Sequence, residues 1–172
     1  MDITQRAKKI KLLLLDVDGV LTDGRLVLGS RDDIKHFHVH DGFGVYLLKK
    51  AGIKCAIITA KDSAAVRRRS KAMGVDRLYA GRHYKIEALS DIIKSFRVRE
   101  EEICFVGDDL IDLPIQKRVG LAVAVPGSVD DVKKSAHYKT VKEGGAGAVR
   151  EVCEMLLKAQ GKWESVTEVY RV

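Results

Sequence analysis

The sequence predicts an α/β fold: a doubly wound (Rossmann-like) parallel sheet with helices on both faces, an inserted β-hairpin and no cap domain. Short aliphatic runs at 10–15, 53–58, 77–79, 103–106 and 120–125 alternate with helical patterns near 42–51, 62–73, 84–96 and 109–118, as in sheets built from βα units. The first run, Ile10-Lys11-Leu12-Leu13-Leu14-Leu15, has four leucines and no polar alternation, the pattern of a strand buried on both faces. A chain of 172 residues fits one domain and buries a sizeable core without disulfide staples. One domain over residues 1–172 is therefore expected.

In chain order, Met1 to Lys9 is mildly basic, but the apolar run behind it is too short and too quickly acidic for a signal peptide or membrane span. A soluble, unexported, cytoplasmic protein is expected. The first strand ends at Asp16-Val17-Asp18-Gly19. Residues 24–28 and 33–39 then read as two strands joined by Gly29-Ser30-Arg31-Asp32, a hairpin expected to lean over the crevice at the strand ends. In its second strand His36, His38 and His40 recur with period two and share a face. Such a face could hold a transition metal, but without a fourth ligand surface or subunit-contact histidines are the preferred reading.

Asp41 and Asp62-Ser63 suit helix N-caps, and Gly52 and Gly74 stand where helices should stop. Arg67-Arg68-Arg69 lies in a helix whose consecutive residues point in different directions, so a solvated face is its default reading. After residue 125 come a helix near 128–135, an extended piece at 137–141, the turn Gly144-Gly145-Ala146-Gly147 and an amphipathic helix near 148–159. Residues 161–172 read as a tail.

The formal charge of +7 and pI near 9.3 admit nucleic acid, an anionic membrane or an anionic metabolite as partner, and charge alone does not choose among them. Cys55, Cys104 and Cys153 are odd in number, lie in apolar stretches and form no Cys-x-x-Cys pair. Core thiols in a reducing compartment fit them better than bridges or a zinc site.

The chemistry lies at the strand ends. Asp16 and Asp18 end the first strand, Thr59 ends the strand at 53–58, Lys85 opens the next helix but one, and Gly107-Asp108-Asp109-Leu110-Ile111-Asp112 follows the strand at 103–106. Parallel strands deliver these groups to one edge. Taken singly, Asp-Gly and Gly-Asp-Asp are turns and caps, and Lys85 is a surface lysine. Together, several carboxylates converging at one edge require a cation, and an all-oxygen set suits magnesium better than zinc.

The stretch Asp16-Val17-Asp18-Gly19-Val20-Leu21-Thr22, then Thr59, Lys85 and Gly107-Asp108-Asp109-Leu110-Ile111-Asp112, resembles in order the four motifs of the haloacid dehalogenase superfamily of phosphatases. More narrowly, Phe37-His38-Val39-His40-Asp41-Gly42-Phe43-Gly44 and Gly144 to Cys153 resemble the cap-less branch that acts on 3-deoxy-D-manno-octulosonate 8-phosphate. The resemblance implies that Asp16 is a nucleophile forming an aspartyl-phosphate and that Asp18 is the acid and base. It implies magnesium on the Asp16 carboxylate, the Asp18 carbonyl and Asp108, with Asp109 and Asp112 nearby. By the same resemblance Thr59 and Lys85 would bind phosphoryl oxygens, and Thr22, Lys61 and Arg82 are candidate substrate contacts. It further implies a homotetramer with the hairpins at its centre and each active site covered by an adjacent chain; the tail either folds over a neighbour's site, as in similar enzymes, or simply frays. No nucleic-acid or membrane partner is expected.

Two departures bear on the sugar. Relatives often carry Gly-Arg after the threonine and Arg before Asp-Gly, where this chain has Ala60-Lys61 and His40. Lysine lacks arginine's planar fork, so recognition of a sugar carboxylate falls to Arg82, Lys35 or Lys61. The alternatives are a phosphatase for nonulosonate 9-phosphates, a nucleic-acid 3′-phosphatase, which lacks an aromatic stacking surface, and a non-catalytic phospho-aspartate regulator.

Overall fold

Leu12 to Leu15 form β1, and all four side chains are fully buried. Burying each is worth roughly 1.5–3 kcal/mol, which fixes the strand at the centre whatever the cost of the acids that follow it. The computed structural model describes residues 2–29 and 33–171. β1 pairs in parallel with β4 (Lys54–Ile58) on one side and β6 (Ile103–Gly107) on the other. With β5 (Arg77–Tyr79), β7 (Leu121–Ala124) and β8 (Tyr138–Lys139), the six-stranded sheet runs in the order β5-β4-β1-β6-β7-β8, and every pairing in it is parallel.

The leucine run hides a strict alternation. Leu13 and Leu15 enter one core cluster with Cys55, Ile57, Cys104, Val106, Leu121 and Val123. Leu12 and Leu14 enter the other with Ala56, Ile58, Ile103, Phe105 and Ala122. The first face is covered by α2 (Val39–Lys50), α3 (Ala64–Ala72) and α7 (Ala148–Ala159), which contribute Val45, Val66 and Val152 among others. The second is covered by α4 (Leu89–Phe96) and α5 (Leu113–Gln116), through Ile92 and Ile115. α1 (Ile3–Lys8) and α6 (Asp130–Ser135) complete the helices around the sheet. Among the described residues there is no cap domain, and no helix is long and apolar enough to cross a membrane.

Several local expectations are corrected. The hairpin strands are short, β2 at Val27–Leu28 and β3 at Asp33–Ile34, paired antiparallel; its turn residues Ser30, Arg31 and Asp32 lie outside the described residues. His36, His38 and His40 do not share a strand face, because the chain leaves β3 at Ile34 and enters α2 at Val39. The rings of His38 and His40 instead meet edge-on at 4.9 Å. Asp41 does not cap α2. It sits buried in the first turn, where its Oδ1 accepts the Arg150 N–H at 2.8 Å, so a bond to another helix outweighs the local capping preference. Ser63 does cap α3, accepting the Val66 N–H. The tail is folded: α8 (Trp163–Thr167) and a 3₁₀ turn at Glu168–Tyr170 lie on α2 of the same chain, where Tyr170 meets Phe43 at 5.3 Å.

Candidate active site

The chain leaves β1 for β4 and β5 on one side, then returns to β6 on the other, so the strand order reverses across β1 and β6. Open α/β sheets bind ligands beyond the carboxyl ends of strands at this reversal. Asp16 extends β1 by one residue, its N–H bonding the Val106 carbonyl at 3.0 Å, and the residue is only 5% exposed. The backbone then coils, with the N–H groups of Val20, Leu21 and Thr22 all converging on the Val17 carbonyl. Within this coil Gly19 has φ +83°, and a Cβ there would lie 1.9 Å from Asp108 Oδ2. Only glycine lets the Asp108 carboxylate approach this loop.

Asp108 and Asp109 follow β6, and both of their N–H groups donate to Asp112 Oδ2, at 2.9 and 3.2 Å. Asp112 is completely buried, and its other oxygen accepts from Lys85 Nζ at 2.7 Å. Lys85 opens a 3₁₀ turn at Lys85–Ala88 and is 1% exposed; its ammonium also lies 2.7 Å from Asp16 Oδ1. A buried lysine flanked by two buried aspartates is stable only because each compensates the others.

Carboxylate oxygens of Asp16, Asp108 and Asp112 can lie within 4.8 Å of one another, the one such metal-holding group among the described residues. Three acids face one lysine, so negative charge is in excess. Burial foremost, and then Asp112, push Asp16 up to about 8 against the pull of Lys85. The same causes push Asp108 up to about 6. On Lys85 burial acts downward, but Asp16 and Asp112 outweigh it and the net shift is upward. A protonated Asp16 is no nucleophile, and a divalent cation between Asp16 and Asp108 would restore both to carboxylates. The all-oxygen donor set fits magnesium.

This gives the metal a pH signature. A carboxyl raised above its ordinary 3.8 holds its proton more tightly in the folded state. Its contribution to stability is full below about pH 4 and is lost as pH rises through the folded values, about 6 and about 8. Metal-free protein should therefore lose this contribution across that window, whereas magnesium, which needs deprotonated ligands, should bind more tightly. The rise in Tm on adding magnesium is expected to be larger near pH 8 than near pH 5, by scanning calorimetry; equal gains would remove Asp16 and Asp108 as its ligands.

The cavity above these groups is about 230 Å³ and is lined by Asp16, Asp18, Thr59, Lys61, Lys85 and Asp108 among others. Thr59 stands buried beyond β4, its N–H on the Tyr79 carbonyl and its carbonyl accepting from Arg82 N–H at 2.9 Å. Asp109 lines the wall, but its Oδ1 accepts the Leu110 N–H at 2.7 Å, so Asp112 rather than Asp109 joins the carboxylate group. The Asp18 carboxylate lies outside that group and is ion-paired to Lys35.

One substrate-contact expectation is corrected, and another residue is placed outside the cavity lining. Thr22 is buried, and its hydroxyl ties the coil together, accepting from the N–H groups of Gly19 and Gly24 and donating to the Val17 carbonyl. Arg82 is exposed and absent from the cavity wall, although its backbone holds Thr59 in place. Sequence reasoning missed the Lys35 contact to Asp18; its available signal was the hairpin inserted beside the crevice.

A family model for haloacid dehalogenase-like hydrolases matches residues 64–152. The chain is 40% identical over 167 residues to the 3-deoxy-D-manno-octulosonate 8-phosphate phosphatase of Yersinia pestis, covering 96% of this chain and 89% of that protein. It is 43% identical over 162 residues to that of Escherichia coli K12, covering 94% and 86%. The solved phosphatase from Moraxella catarrhalis, in complex with a magnesium ion, a phosphate ion and a KDO molecule, superposes with TM-score 0.94 at 40% identity, covering 98% of this chain and 97% of that one.

Proposed function

The chain belongs to the haloacid dehalogenase-like hydrolases, and from that premise we propose that it hydrolyses 3-deoxy-D-manno-octulosonate 8-phosphate to the free sugar acid and phosphate, a step toward the inner-core sugar of lipopolysaccharide. The observation that carries this reading is the cluster of buried Asp16, Lys85 and Asp112 with half-buried Asp108 at the sheet's reversal point. Its named relatives carry that substrate in their names at 40% identity and above. The whole chain is read as one phosphatase domain, with the hairpin as its insertion.

Asp16 attacks phosphorus, forming an acyl phosphate on its carboxylate as the bond to the sugar oxygen breaks. Asp18, at the cavity wall, gives its proton to that oxygen. A water then attacks the same phosphorus and surrenders a proton to Asp18; phosphate leaves and the Asp16 carboxylate is regenerated. An ammonium has three N–H donors, so Lys85, with two neighbours in Asp16 and Asp112, keeps one for a phosphoryl oxygen. Thr59 supplies a second donor, and Lys61 at the rim faces the sugar. Magnesium would be held by the Asp16 carboxylate, the Asp18 carbonyl and Asp108, where it would supply positive charge for the phosphoryl oxygens and keep the nucleophile ionised.

The test is phosphate release from a panel of sugar phosphates with and without magnesium. Turnover that needs magnesium and prefers the eight-carbon acid phosphate is expected. A preference for nine-carbon acid phosphates moves the assignment to the nonulosonates, and indifference to the sugar acid removes it.

An open cavity needs cover from elsewhere to exclude water and select a small substrate. The hairpin offers it: Leu26, Leu28 and Ile34 are 58%, 76% and 54% exposed, an apolar surface that a monomer rarely leaves bare. We read it as the centre of a homotetramer. Leu28→Glu is expected to give smaller species in sedimentation velocity, and an unchanged assembly would place the interface elsewhere.

A further inference from the structure

The hairpin also reaches inward. Lys35 follows β3, its side chain is 1% exposed, and its ammonium is ion-paired to Asp18 Oδ1, whereas the Asp18 side chain remains 34% exposed at the cavity. A long, rotamer-rich side chain is buried there at an entropic cost, and among the described residues its ionic partner is the acid/base group. Asp18 itself stands in the coil after β1, where Thr22 fixes the backbone but makes no bond to the Asp18 carboxylate.

We propose that Lys35 is a positioning residue for the proton-transfer step: it holds Oδ1 of Asp18 so that the other carboxyl oxygen faces the leaving sugar oxygen and then the attacking water. This rests on the reading of Asp18 as acid and base given above. The hairpin thereby links two roles, since the insert whose outer face is apolar carries on its inner side the cation that sets the acid/base geometry. Proton bookkeeping is unchanged: the Asp18 proton goes to the sugar oxygen as its bond to phosphorus breaks, and a proton returns from water as the Asp16–phosphorus bond is hydrolysed. Lys35 gains and loses nothing.

The experiment compares wild type, Lys35→Met and Lys35→Arg in the assembled, magnesium-loaded enzyme. Two substrates are used, the sugar-acid phosphate and p-nitrophenyl phosphate, whose leaving group departs without a proton. For Lys35→Met, kcat on the sugar phosphate should fall by about 10- to 100-fold, part of the roughly 10²–10⁴-fold that a placed acid/base group contributes, with KM nearly unchanged. On p-nitrophenyl phosphate the first step needs no acid and the second still needs the base. A rapid burst of nitrophenolate approaching one per site, followed by slow turnover, is therefore expected, and Lys35→Arg should recover part of the loss.

A raised KM at unchanged kcat would make Lys35 a substrate contact and overturn the proposal. So would equal losses on both substrates without a burst, the mark of a merely loosened fold. Asp16→Asn run in parallel separates the two readings: if it is dead while Lys35→Met is normal, only the Lys35 inference fails, and if it turns over, the phosphatase reading itself fails.

Discussion

Asp16→Asn is expected to lower phosphate release by roughly 10⁴-fold or more, with the fold intact and the metal-free Tm equal to or above that of wild type. The two halves of this result have one cause. Asp16 is 5% exposed and shares its site with Asp108 and Asp112, and burial with its acidic neighbour drives its carboxyl up to about 8. An isosteric amide keeps the volume, removes one of three acids and leaves Lys85 paired to Asp112 at 2.7 Å. It cannot attack phosphorus, because its nitrogen and carbonyl oxygen lack the carboxylate's charge. Calorimetry and phosphate assays on the same preparation check both. Turnover within tenfold of wild type would remove Asp16 as nucleophile, and a large fall in Tm would mean that its charge serves the fold rather than the reaction.

How far such a site can be read from sequence depends on which contacts are local. β1 was legible because four leucines without alternation admit only a strand buried on both sides, and the acids at its end were legible because a buried strand must deliver whatever follows it to the sheet edge. The choice between Asp109 and Asp112 was not. Both follow β6 within five residues, and a 3₁₀ turn at Leu110–Asp112 decides which carboxylate swings inward. The resemblance marks Thr22 as a candidate substrate contact, yet backbone N–H groups of the coil claim its hydroxyl. Asp41 looked like a cap until the Arg150 N–H, 109 residues away, drew it inside. Lys35 on Asp18 spans a hairpin. In each case a tertiary partner overrides a short-range preference, and short-range preferences are all that spacing records.

Lys85→Met is the substitution expected to damage both stability and activity. Its ammonium lies 2.7 Å from Asp16 and 2.7 Å from Asp112 with the side chain wholly buried, so its loss leaves two buried carboxylates without their counter-charge. Breaking a buried ion pair from one side costs about 3–5 kcal/mol, and at about 2–4 °C per kcal/mol for a domain of this size Tm should fall by roughly 6–20 °C. Activity should fall by about 10²–10³-fold, the worth of one donor aimed at transition-state charge. The stability loss carries a pH dependence that a packing defect would lack. Asp16, left without its counter-charge, recovers by taking up a proton, so the deficit should be largest near pH 8 and shrink toward pH 5, where the folded state holds Asp16 neutral. Thermal unfolding across that range, without metal, separates the two causes: a deficit constant with pH would make Lys85 a space-filling residue. A deficit that closes on acidification would make it the counter-charge that lets two acids stay buried beside the phosphoryl site.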